Sequence, residues 1–426
     1  MYQLVLAAVY HADGLWGEAT FDLYARDLPR DQGYLVVAGI EEALDAILDL
    51  QFSPQAIAWL KDQPFFEHAS ASWWESLSHL RFQGDVHAIP EGELAFPGEP
   101  IMRVRAPLIQ ATLLETRLIQ TVSHATAVAT RAARLVDAAA GRRIYDFGSR
   151  RLPGPQAALL AARAAAVGGC HGTTYALAGH QHGLETMGTL SASFLAAYDT
   201  DEAALDAFRA HFPQLGYVEL PDGDILDGVR RLEPFRENVR IVRVDHWNLN
   251  GAARMVRDAL DKAGMSRVKI LGSGSLDEHR VRDLTRNQAP VDMLAIGRRL
   301  SVGSGDPGTS MAYRIAEIGR GVLFEAVTRP GAASYPGCKQ VVRGRRRDVI
   351  CFEDEADFVQ LQVEGRAMLR PAIEAGRRLK PWGSVAEASE RRRVAVSVLP
   401  AGVRQLTQPD PWTVSVSDRL AEASLG

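Results

Sequence analysis

Apolar residues between positions 107 and 320 follow two alternating spacings, the period of about 3.6 that is typical of helices and the period of two that is typical of strands. The pattern predicts helices at 107–139, 154–166, 172–181, 201–211, 250–263, 277–286 and 308–317. It predicts strands at 142–147, 184–187, 215–219, 240–245, 267–271 and 292–296. Repeated strand–helix units over this length indicate a parallel sheet that is closed, or nearly closed, as an α/β barrel.

The two ends of the chain have a more mixed pattern of short helices and strands. Before the barrel, helices are predicted at 40–50 and from Ser53-Pro54 onward, with Ser53 as the cap, and strands at 85–89 and 101–104. After it, strands are predicted at 322–326, 340–342 and 348–352, and a helix at 383–393. We therefore predict one α+β domain made from both chain ends, residues 1–106 and 321–426, and an α/β barrel over residues 107–320.

The composition of the chain limits the classes of molecule it is expected to bind and indicates its cellular compartment. The chain has 426 residues and a formal net charge of -4, which gives no reason to expect a nucleic acid or an anionic membrane as partner. Its three cysteines have no metal-ligand spacing, which favours a reducing compartment and no structural zinc. The apolar run Leu4–Val9 is short and lacks a basic leader. We therefore expect a cytoplasmic protein that acts on a small molecule.

Unusual residues follow four of the predicted barrel strands. These are Asp146-Phe147, Asp245-His246, Gly272-Ser273-Gly274 and Gly297-Arg298. Active sites of barrels lie at the carboxyl ends of the strands, so these four positions are expected to converge on one face. Glycine-rich turns of this kind can expose backbone amides to a phosphate. Taken alone, such turns favour the simpler interpretation of an ordinary connection between a strand and a helix.

The segment Tyr145-Asp-Phe-Gly-Ser-Arg-Arg151 combines an aromatic ring with two adjacent cations. Phe147 can stack on a planar ring, and Gly148 allows the backbone to turn or to be approached closely. Arg150 and Arg151 can form paired hydrogen bonds with phosphate oxygens. The segment predicts a ligand in which a planar heterocycle lies next to a polyanion, although aromatic-Gly-Arg strings also occur at ordinary strand ends.

The ordered set of motifs along the whole chain resembles the nicotinate phosphoribosyltransferase family. The matching segments are Gly33-Tyr34, Ala38–Glu42, Gly84–Val86, Pro90–Gly92, Glu115-Thr116, Asp146–Gly148 with Arg150-Arg151, Gly172–Thr174, Gly188-Thr189, Val242–Asp245, Leu276–Glu278, Gly297 with Arg299-Leu300, and Tyr335–Gln340. The resemblance implies a type II phosphoribosyltransferase fold, in which an irregular α/β barrel packs on an α+β domain made from both chain ends. It also implies a homodimer with shared active sites and a step of NAD biosynthesis.

The resemblance further implies roles for individual residues. Phe147 and Tyr2 of a neighbouring subunit would enclose the pyridine ring, and Tyr2 also suits a simple packing role at the terminus. Arg150 and Arg243 would hold the pyrophosphate and the pyridine carboxylate, and Asp245 would orient the ribose hydroxyls or Mg²⁺. The 5′-phosphate would lie on Gly272, Ser273, Gly274, Gly297 and Arg298. Thr174, a neutral residue where the related nicotinamide enzymes have an aspartate, favours an acid substrate, and Ser191 and His246 are expected at the substrate pocket.

Three departures from the family pattern change the prediction. Ala192 stands where the family has a histidine that ATP phosphorylates, and a methyl group cannot form a phosphoramidate, so no coupling to ATP is expected. His246-Trp247-Asn248 replaces Ser-Gly-Asp, which adds two large rings and removes one charge, unless both rings point outward. Tyr175 stands where the family has asparagine. The expected ligands are therefore phosphoribosyl pyrophosphate and Mg²⁺, without ATP.

Three functional hypotheses follow. The first is a phosphoribosyltransferase that joins an aromatic N-heterocyclic acid, nicotinate by default, to phosphoribosyl pyrophosphate, or catalyses the reverse reaction. The second keeps the chemistry but assigns a different pyridine-type acceptor, because of Tyr175 and His246-Trp247. The third is a non-catalytic relative that binds a nucleotide.

Overall fold

The computed structural model of the protein describes residues 1–212, 217–219, 225–303, 308–320, 323–327 and 334–425, with the backbone alone at 192 and 217–219. Contacts divide it into two compact units, one formed by Met1–Ala127 and Gly308–Gly426 and the other by Val128–Pro307. The sequence placed the boundaries at 107 and 320. In the structure the first boundary lies inside a long helix instead of at its start.

The second unit has strands and helices in alternation. The elements that precede it in the chain belong to the first unit: α1 (Tyr2–Ala12), β1 (Glu18–Ala25), β2 (Leu35–Val36), α2 (Ile40–Leu48), α3 (Pro54–Lys61), α4 (Ala71–Ser78), β3 (Asp85–Ala88), β4 (Leu94–Ala95) and β5 (Pro100–Pro107). The long helix α5 (Leu108–Ala139) follows them and contains the boundary between the two units. Then come β6 (Arg143–Asp146), α6 (Pro155–Val167), β7 (Gly172–Thr173), α7 (Ala176–His182), β8 (Glu185–Thr186), α8 (Ala192–Leu195), α9 (Asp201–His211), β9 (Tyr217–Glu219), α10 (Ile225–Leu232), β10 (Ile241–Asp245), α11 (Leu249–Lys262), β11 (Lys269–Ser273), α12 (Glu278–Arg286), β12 (Met293–Ile296) and α13 (Arg298–Ser301).

The order of the strands identifies this unit as a barrel. Its seven-stranded sheet has the order β8-β7-β6-β12-β11-β10-β9, and every neighbouring pair is parallel. Strands that are consecutive in the chain are neighbours, and the last strand, β12, pairs with the first, β6. That closure is what a barrel requires. Among the described residues the ladder is interrupted between β8 and β9, so the barrel is irregular. The predicted α/β class is confirmed.

The first unit is completed by the C-terminal elements. These are β13 (Met311–Arg320), β14 (Leu323–Ala326), β15 (Lys339–Arg343), β16 (Asp348–Phe352), α14 (Ala356–Val363), β17 (Arg366–Ala367), β18 (Arg370–Glu374), β19 (Arg377–Arg378), α15 (Val385–Ser397), β20 (Val414–Val416) and α16 (Asp418–Leu425). Strands from both chain ends form an antiparallel sheet in the order β14-β13-β1-β5-β3-β18-β19. Two smaller sheets, β17-β15-β16-β20 and β2-β4, complete this α+β unit.

Most predicted elements are confirmed to within a few residues, including the cap of α3, where the Ser53 side chain accepts from the Ala56 amide. Two helices were predicted wrongly. The segment 172–181 begins as strand β7, because Gly172 and Thr173 pair with β6, and the helix begins only at Ala176. The segment 308–317 is strand β13, which pairs with β1 on one side and β14 on the other. Positions 215, 216 and 322 of the predicted strands lie outside the described residues.

The remaining predictions concern the state of the cysteines and the presence of membrane-spanning helices. None of the three cysteines forms a disulfide bond within the part of the chain that the structure describes. In the described ranges, none of the helices combines the length and the apolar character needed to cross a bilayer.

Candidate active site

Four barrel strands end at the same cavity. Because β6, β10, β11 and β12 are parallel neighbours, their carboxyl ends meet at one edge of the sheet. A cavity of about 340 Å³ opens there. It is lined by residues from these ends and the turns that follow: Phe147, Arg150, Arg151, Arg243, Ser273, Gly274, Ser275, Leu276, Ala295, Gly297, Arg298 and Arg299.

The turn that carries Phe147 is built around the buried carboxylate of Asp146. Its Oδ1 accepts from the Gly148 amide at 2.8 Å and its Oδ2 from the Thr173 hydroxyl at 2.9 Å. Burial raises the pKa of Asp146 above its ordinary value, and these two hydrogen bonds oppose that rise. Gly148 is required at the turn, since a Cβ there would lie 2.4 Å from Ser301 Oγ. Asp146 thus fixes the backbone on both sides of Phe147.

Replacing Asp146 separates the role of its hydrogen bonds from that of its charge. Asp146→Ala leaves two buried donors without an acceptor and is expected to lower the free energy of unfolding by about 2–4 kcal/mol. Asp146→Asn keeps an acceptor for the Gly148 amide and is expected to cost about 1 kcal/mol or less. Urea unfolding of both variants checks this, and equal losses would contradict it.

The raised pKa of Asp146 also predicts a pH dependence. Folding disfavours the ionised form, so wild type loses stability as pH rises from the ordinary value of 3.8 through the folded pKa. Asp146→Asn does not titrate there. The stability of wild type relative to this variant is therefore expected to fall across that window and to level off above it, which unfolding curves at several pH values can measure.

Arg243, Asp245 and Ser273 form a closed hydrogen-bonded group on β10 and β11. Arg243 Nη2 donates to Asp245 Oδ2 at 2.7 Å, and Arg243 Nε donates to Ser273 Oγ at 2.9 Å. Ser273 Oγ in turn donates to the same Asp245 Oδ2 at 2.9 Å. The register that pairs Asp245 with Ser273 makes this geometry available. The guanidinium is held along one edge, as is expected for a cation that must keep a fixed direction.

The aromatic ring and the cation predicted from the sequence do meet. The Arg243 guanidinium lies 5.5 Å from the centroid of the Phe147 ring. Five arginines line the cavity, at 150, 151, 243, 298 and 299, and none of the described lining residues is acidic. Asp245 contacts the cavity's Arg243 and Ser273 but is not itself a lining residue. An excess of guanidinium groups beside a flat ring suits an anionic ligand with a planar part.

The glycine-rich turns have different roles. Gly274 lines the cavity and has φ +125°, and a Cβ there would lie 2.7 Å from the His246 carbonyl oxygen. Gly297 and Arg298 also line the cavity. Gly272 does not, since a Cβ at this position would point at Leu249 Cδ2, 2.8 Å away. Its small size therefore serves the packing of α11 on the sheet, and the phosphate contact expected of Gly272 stays a prediction.

The other predicted substrate residues lie outside this cavity lining. The Thr174 hydroxyl is 3.4 Å from Ser149 Oγ, the residue that precedes Arg150 and Arg151 in the chain. Ser191 is exposed and accepts from the Phe194 amide at the start of α8. Tyr2 begins α1 in the first unit, where its side chain is 56% exposed.

The altered segment after Asp245 turns away from the cavity. The His246 ring accepts from the Asn248 amide and stacks on Trp247, which is 80% exposed. The Asn248 side chain caps α11 by accepting from the Gly251 amide at 3.2 Å. The two large rings therefore do not fill the pocket floor, and Asn248 has a structural role that an aspartate could also perform.

Several residues of the site were missed by sequence reasoning. Ser275, Leu276, Ala295 and Arg299 line the cavity, and Ser301 packs against Gly148. Arg299 stood beside a predicted phosphate turn and could have been found there. Leu276 lies in a segment that matches the family but was given no role, and Ala295 carries no chemical signal in the sequence, so only the meeting of the strand ends places both residues at the site.

A metal site made of protein groups alone is not present in the part of the chain that the structure describes. No group of three or more His, Cys, Asp or Glu side chains is placed to hold an ion there. A single carboxylate beside a polyanion-binding cavity is nevertheless the arrangement with which Mg²⁺ is commonly held, since the substrate phosphates supply the other ligands. Asp245 meets that description.

Comparisons with known proteins were consistent along the chain. Residues 1–123 match the family model of the nicotinate phosphoribosyltransferase N-terminal domain, and residues 346–424 match that of its C-terminal domain. Residues 128–302, which contain the cavity, match the quinolinate phosphoribosyl transferase C-terminal domain. The three matches follow the chain in order.

Individual proteins gave the same result. A nicotinate phosphoribosyltransferase of Mycobacterium tuberculosis (strain ATCC 25618 / H37Rv) is 33% identical over 430 residues, which cover 99% of this chain and 91% of the relative. The Bacillus subtilis (strain 168) nicotinate phosphoribosyltransferase is 30% identical, with 87% and 77% covered.

Solved structures confirm the fold. Human nicotinic acid phosphoribosyltransferase superposes with a TM-score of 0.85 at 22% identity, covering 100% of this chain and 98% of that one. Nicotinate-nucleotide pyrophosphorylase from Pyrococcus furiosus superposes with a TM-score of 0.75 at 21% identity, covering 93% and 94%. The full-length match above 30% identity, the family models and the barrel with its arginine-lined cavity agree, and the chain belongs to the nicotinate phosphoribosyltransferase family.

Proposed function

We propose that this protein transfers the phosphoribosyl group of phosphoribosyl pyrophosphate to nicotinate. The observation that carries the proposal is the Phe147 ring beside the Arg243 guanidinium, in a cavity lined by five arginines at the carboxyl ends of the barrel strands. A stacking surface for a pyridine ring thus adjoins a set of cations for a phosphorylated partner. The names of the relatives from M. tuberculosis and B. subtilis support the same substrate.

The reaction makes modest demands on the protein. The pyridine nitrogen bonds to C1 of the ribose, and the bond from C1 to the pyrophosphate oxygen breaks, with its electron pair leaving on pyrophosphate. No proton has to be transferred, so the site needs positioning and support for the departing negative charge. Phe147 would orient the ring by stacking, and the cavity arginines would stabilise pyrophosphate and the 5′-phosphate.

Arg243 and Asp245 would act together in this scheme. Their 2.7 Å ion pair directs the guanidinium beside the Phe147 ring, where it can meet the carboxylate of nicotinate or an oxygen of pyrophosphate. Asp245 would hold Mg²⁺ together with substrate oxygens. Mg²⁺, when bound, would neutralise negative charge on the leaving pyrophosphate. This division of roles explains why one carboxylate beside several arginines is sufficient.

The proposal includes a homodimer in the cytoplasm with shared active sites, in which Tyr2 of one protomer would complete the aromatic enclosure of the other's pyridine ring. It also includes independence from ATP. Residue 192 is alanine, which carries no nitrogen or oxygen for a phosphoryl group.

Purified protein incubated with nicotinate, phosphoribosyl pyrophosphate and Mg²⁺ tests the proposal. Nicotinate mononucleotide and pyrophosphate are expected in equal amounts, and adding ATP is expected to leave the yield and the initial rate unchanged. No ADP should accumulate. A lack of mononucleotide with and without ATP would rule out nicotinate as acceptor, while ADP formed in proportion to product would contradict the uncoupled reaction.

A different aromatic acid is the second candidate substrate. The five cavity arginines could accommodate an acceptor with more than one carboxylate, and the cavity-bearing segment matches the quinolinate enzyme's domain. A panel of pyridine mono- and dicarboxylic acids and pyrimidine acids, compared by kcat/KM, separates this candidate from the first. Binding of phosphoribosyl pyrophosphate without turnover of any acid would favour a non-catalytic relative.

A further inference from the structure

Arg280, a residue of α12 outside the cavity lining, connects the two turns that follow β10 and β11. Its Nη1 donates to the Gly274 carbonyl at 2.5 Å and to the Ser275 carbonyl at 3.3 Å. Its Nη2 donates to the Trp247 carbonyl at 2.5 Å. One planar guanidinium therefore bonds both turns at once, which a compact ammonium group could not do.

The backbone position of Arg280 is itself fixed. Asp277 caps α12, and its Oδ1 accepts from the Arg280 amide at 3.0 Å. The side chain therefore leaves the first turn of a capped helix, an anchor with a defined direction. Among the described residues, the Arg280 guanidinium forms no ion pair or hydrogen bond with an acidic side chain. Its contacts are with main-chain carbonyls of the two turns.

The turn that Arg280 holds needs such support. Ser275 is a non-glycine residue with φ +49°, and Gly274 has φ +125°. Left-handed conformations of non-glycine residues carry a free-energy cost and persist where surrounding contacts maintain them. The two turns also lie in close contact, because a Cβ on Gly274 would lie 2.7 Å from the His246 carbonyl oxygen. Gly274 and Ser275 both line the cavity, so its shape depends on this turn.

We propose that Arg280 is a positioning residue that holds the 273–275 turn in the conformation that binds the phosphate-bearing substrate. The inference rests on the proposed function only in that a phosphorylated ligand occupies this cavity. Arg280 acts through the turn and touches no substrate. Its loss should therefore weaken phosphoribosyl pyrophosphate and leave the acceptor, which stacks on Phe147, little affected.

Arg280→Ala, Arg280→Lys and the control Arg286→Ala test this inference. Arg286 is an exposed arginine on the same helix. Arg280→Ala is expected to raise KM for phosphoribosyl pyrophosphate about tenfold, with kcat and KM for nicotinate changed by about twofold or less. Arg280→Lys should fall between Arg280→Ala and wild type, and Arg286→Ala should match wild type. Thermal unfolding shows whether each variant is folded. If Arg280→Ala is not folded, Arg280→Lys is compared with wild type in its place.

The outcomes distinguish this inference from the proposed function. A KM for phosphoribosyl pyrophosphate that is the same in Arg280→Ala and Arg286→Ala overturns the inference, as does an equal loss for both substrates. If wild type converts no acceptor, calorimetry with phosphoribosyl pyrophosphate decides. Binding that is about tenfold weaker in Arg280→Ala supports the inference although the transferase proposal has failed. Equal binding of phosphoribosyl pyrophosphate by wild type and Arg280→Ala, or no binding by wild type, overturns the inference.

Discussion

Arg243→Ala is expected to reduce kcat/KM for mononucleotide formation by about 10³-fold, because it removes an oriented cation from the place where negative charge accumulates. The Arg243 guanidinium contacts the Phe147 ring, Asp245 and Ser273 at the same time. Its loss also leaves Asp245 Oδ2 with the Ser273 hydroxyl alone. Steady-state kinetics with both substrates, at saturating Mg²⁺, measures the effect.

Two further variants sharpen the experiment. Arg243→Lys keeps the charge but cannot bond Ser273 and Asp245 with one planar group, so a loss of about 10- to 100-fold is expected. Arg240→Ala is the matched control, since Arg240 is exposed and immediately precedes the same strand at its amino end, away from the cavity edge. Similar values of kcat/KM for Arg243→Ala and Arg240→Ala would show that Arg243 has no role in the reaction.

Asp245→Asn is expected to lower kcat by about 10²-fold and to raise the Mg²⁺ concentration needed for half-maximal rate. The change keeps the size of the side chain but replaces an ion pair with Arg243 by a neutral amide. It also removes the carboxylate proposed to hold the metal. A Mg²⁺ titration of the initial rate, in wild type and variant, measures both quantities.

The two roles of Asp245 can be separated by the result. If kcat falls and half-saturation by Mg²⁺ does not move, the carboxylate serves only to orient Arg243, and the metal is held by substrate alone. An unchanged kcat would contradict both roles. Asp258→Asn, an exposed change on α11 after the same strand, is the control and is expected to match wild type in both measurements.

These predictions share one physical basis. In the proposed reaction, the site would stabilise charge with groups that are already oriented in the folded chain, so little reorganisation would be needed when pyrophosphate departs. The closed hydrogen bonds of Arg243, Asp245 and Ser273 and the buried Asp146 below Phe147 provide that orientation. The most sensitive substitutions are therefore those that free a cation or a turn from its partner.

The sequence was a good guide to the candidate site where chemistry is visible in residue type. Phe147, Arg150, Ser273, Gly274, Gly297 and Arg298 were predicted from motifs near strand ends and Arg243 from the family resemblance, and the structure brings all seven together at one cavity. Gly272 and His246 were also predicted for the site, and the structure places neither of them in the cavity lining. A glycine in a turn signals close approach without saying what approaches, and in Gly272 the neighbour is Leu249 rather than a ligand.

Local pattern alone determined the alternation of strands and helices, the α/β class and the kinds of side chain at the strand ends, because periodicity and residue type are properties of short segments. Only the tertiary structure decided that 311–320 is a strand, because the partners that hydrogen-bond it, β1 and β14, lie partly at the other end of the chain. The same holds for the pairing of β12 with β6 and for the hydrogen bond from Arg280 to the Trp247 carbonyl. Those features depend on contacts between residues far apart in sequence, and such contacts produce no periodic pattern in a short segment of the sequence.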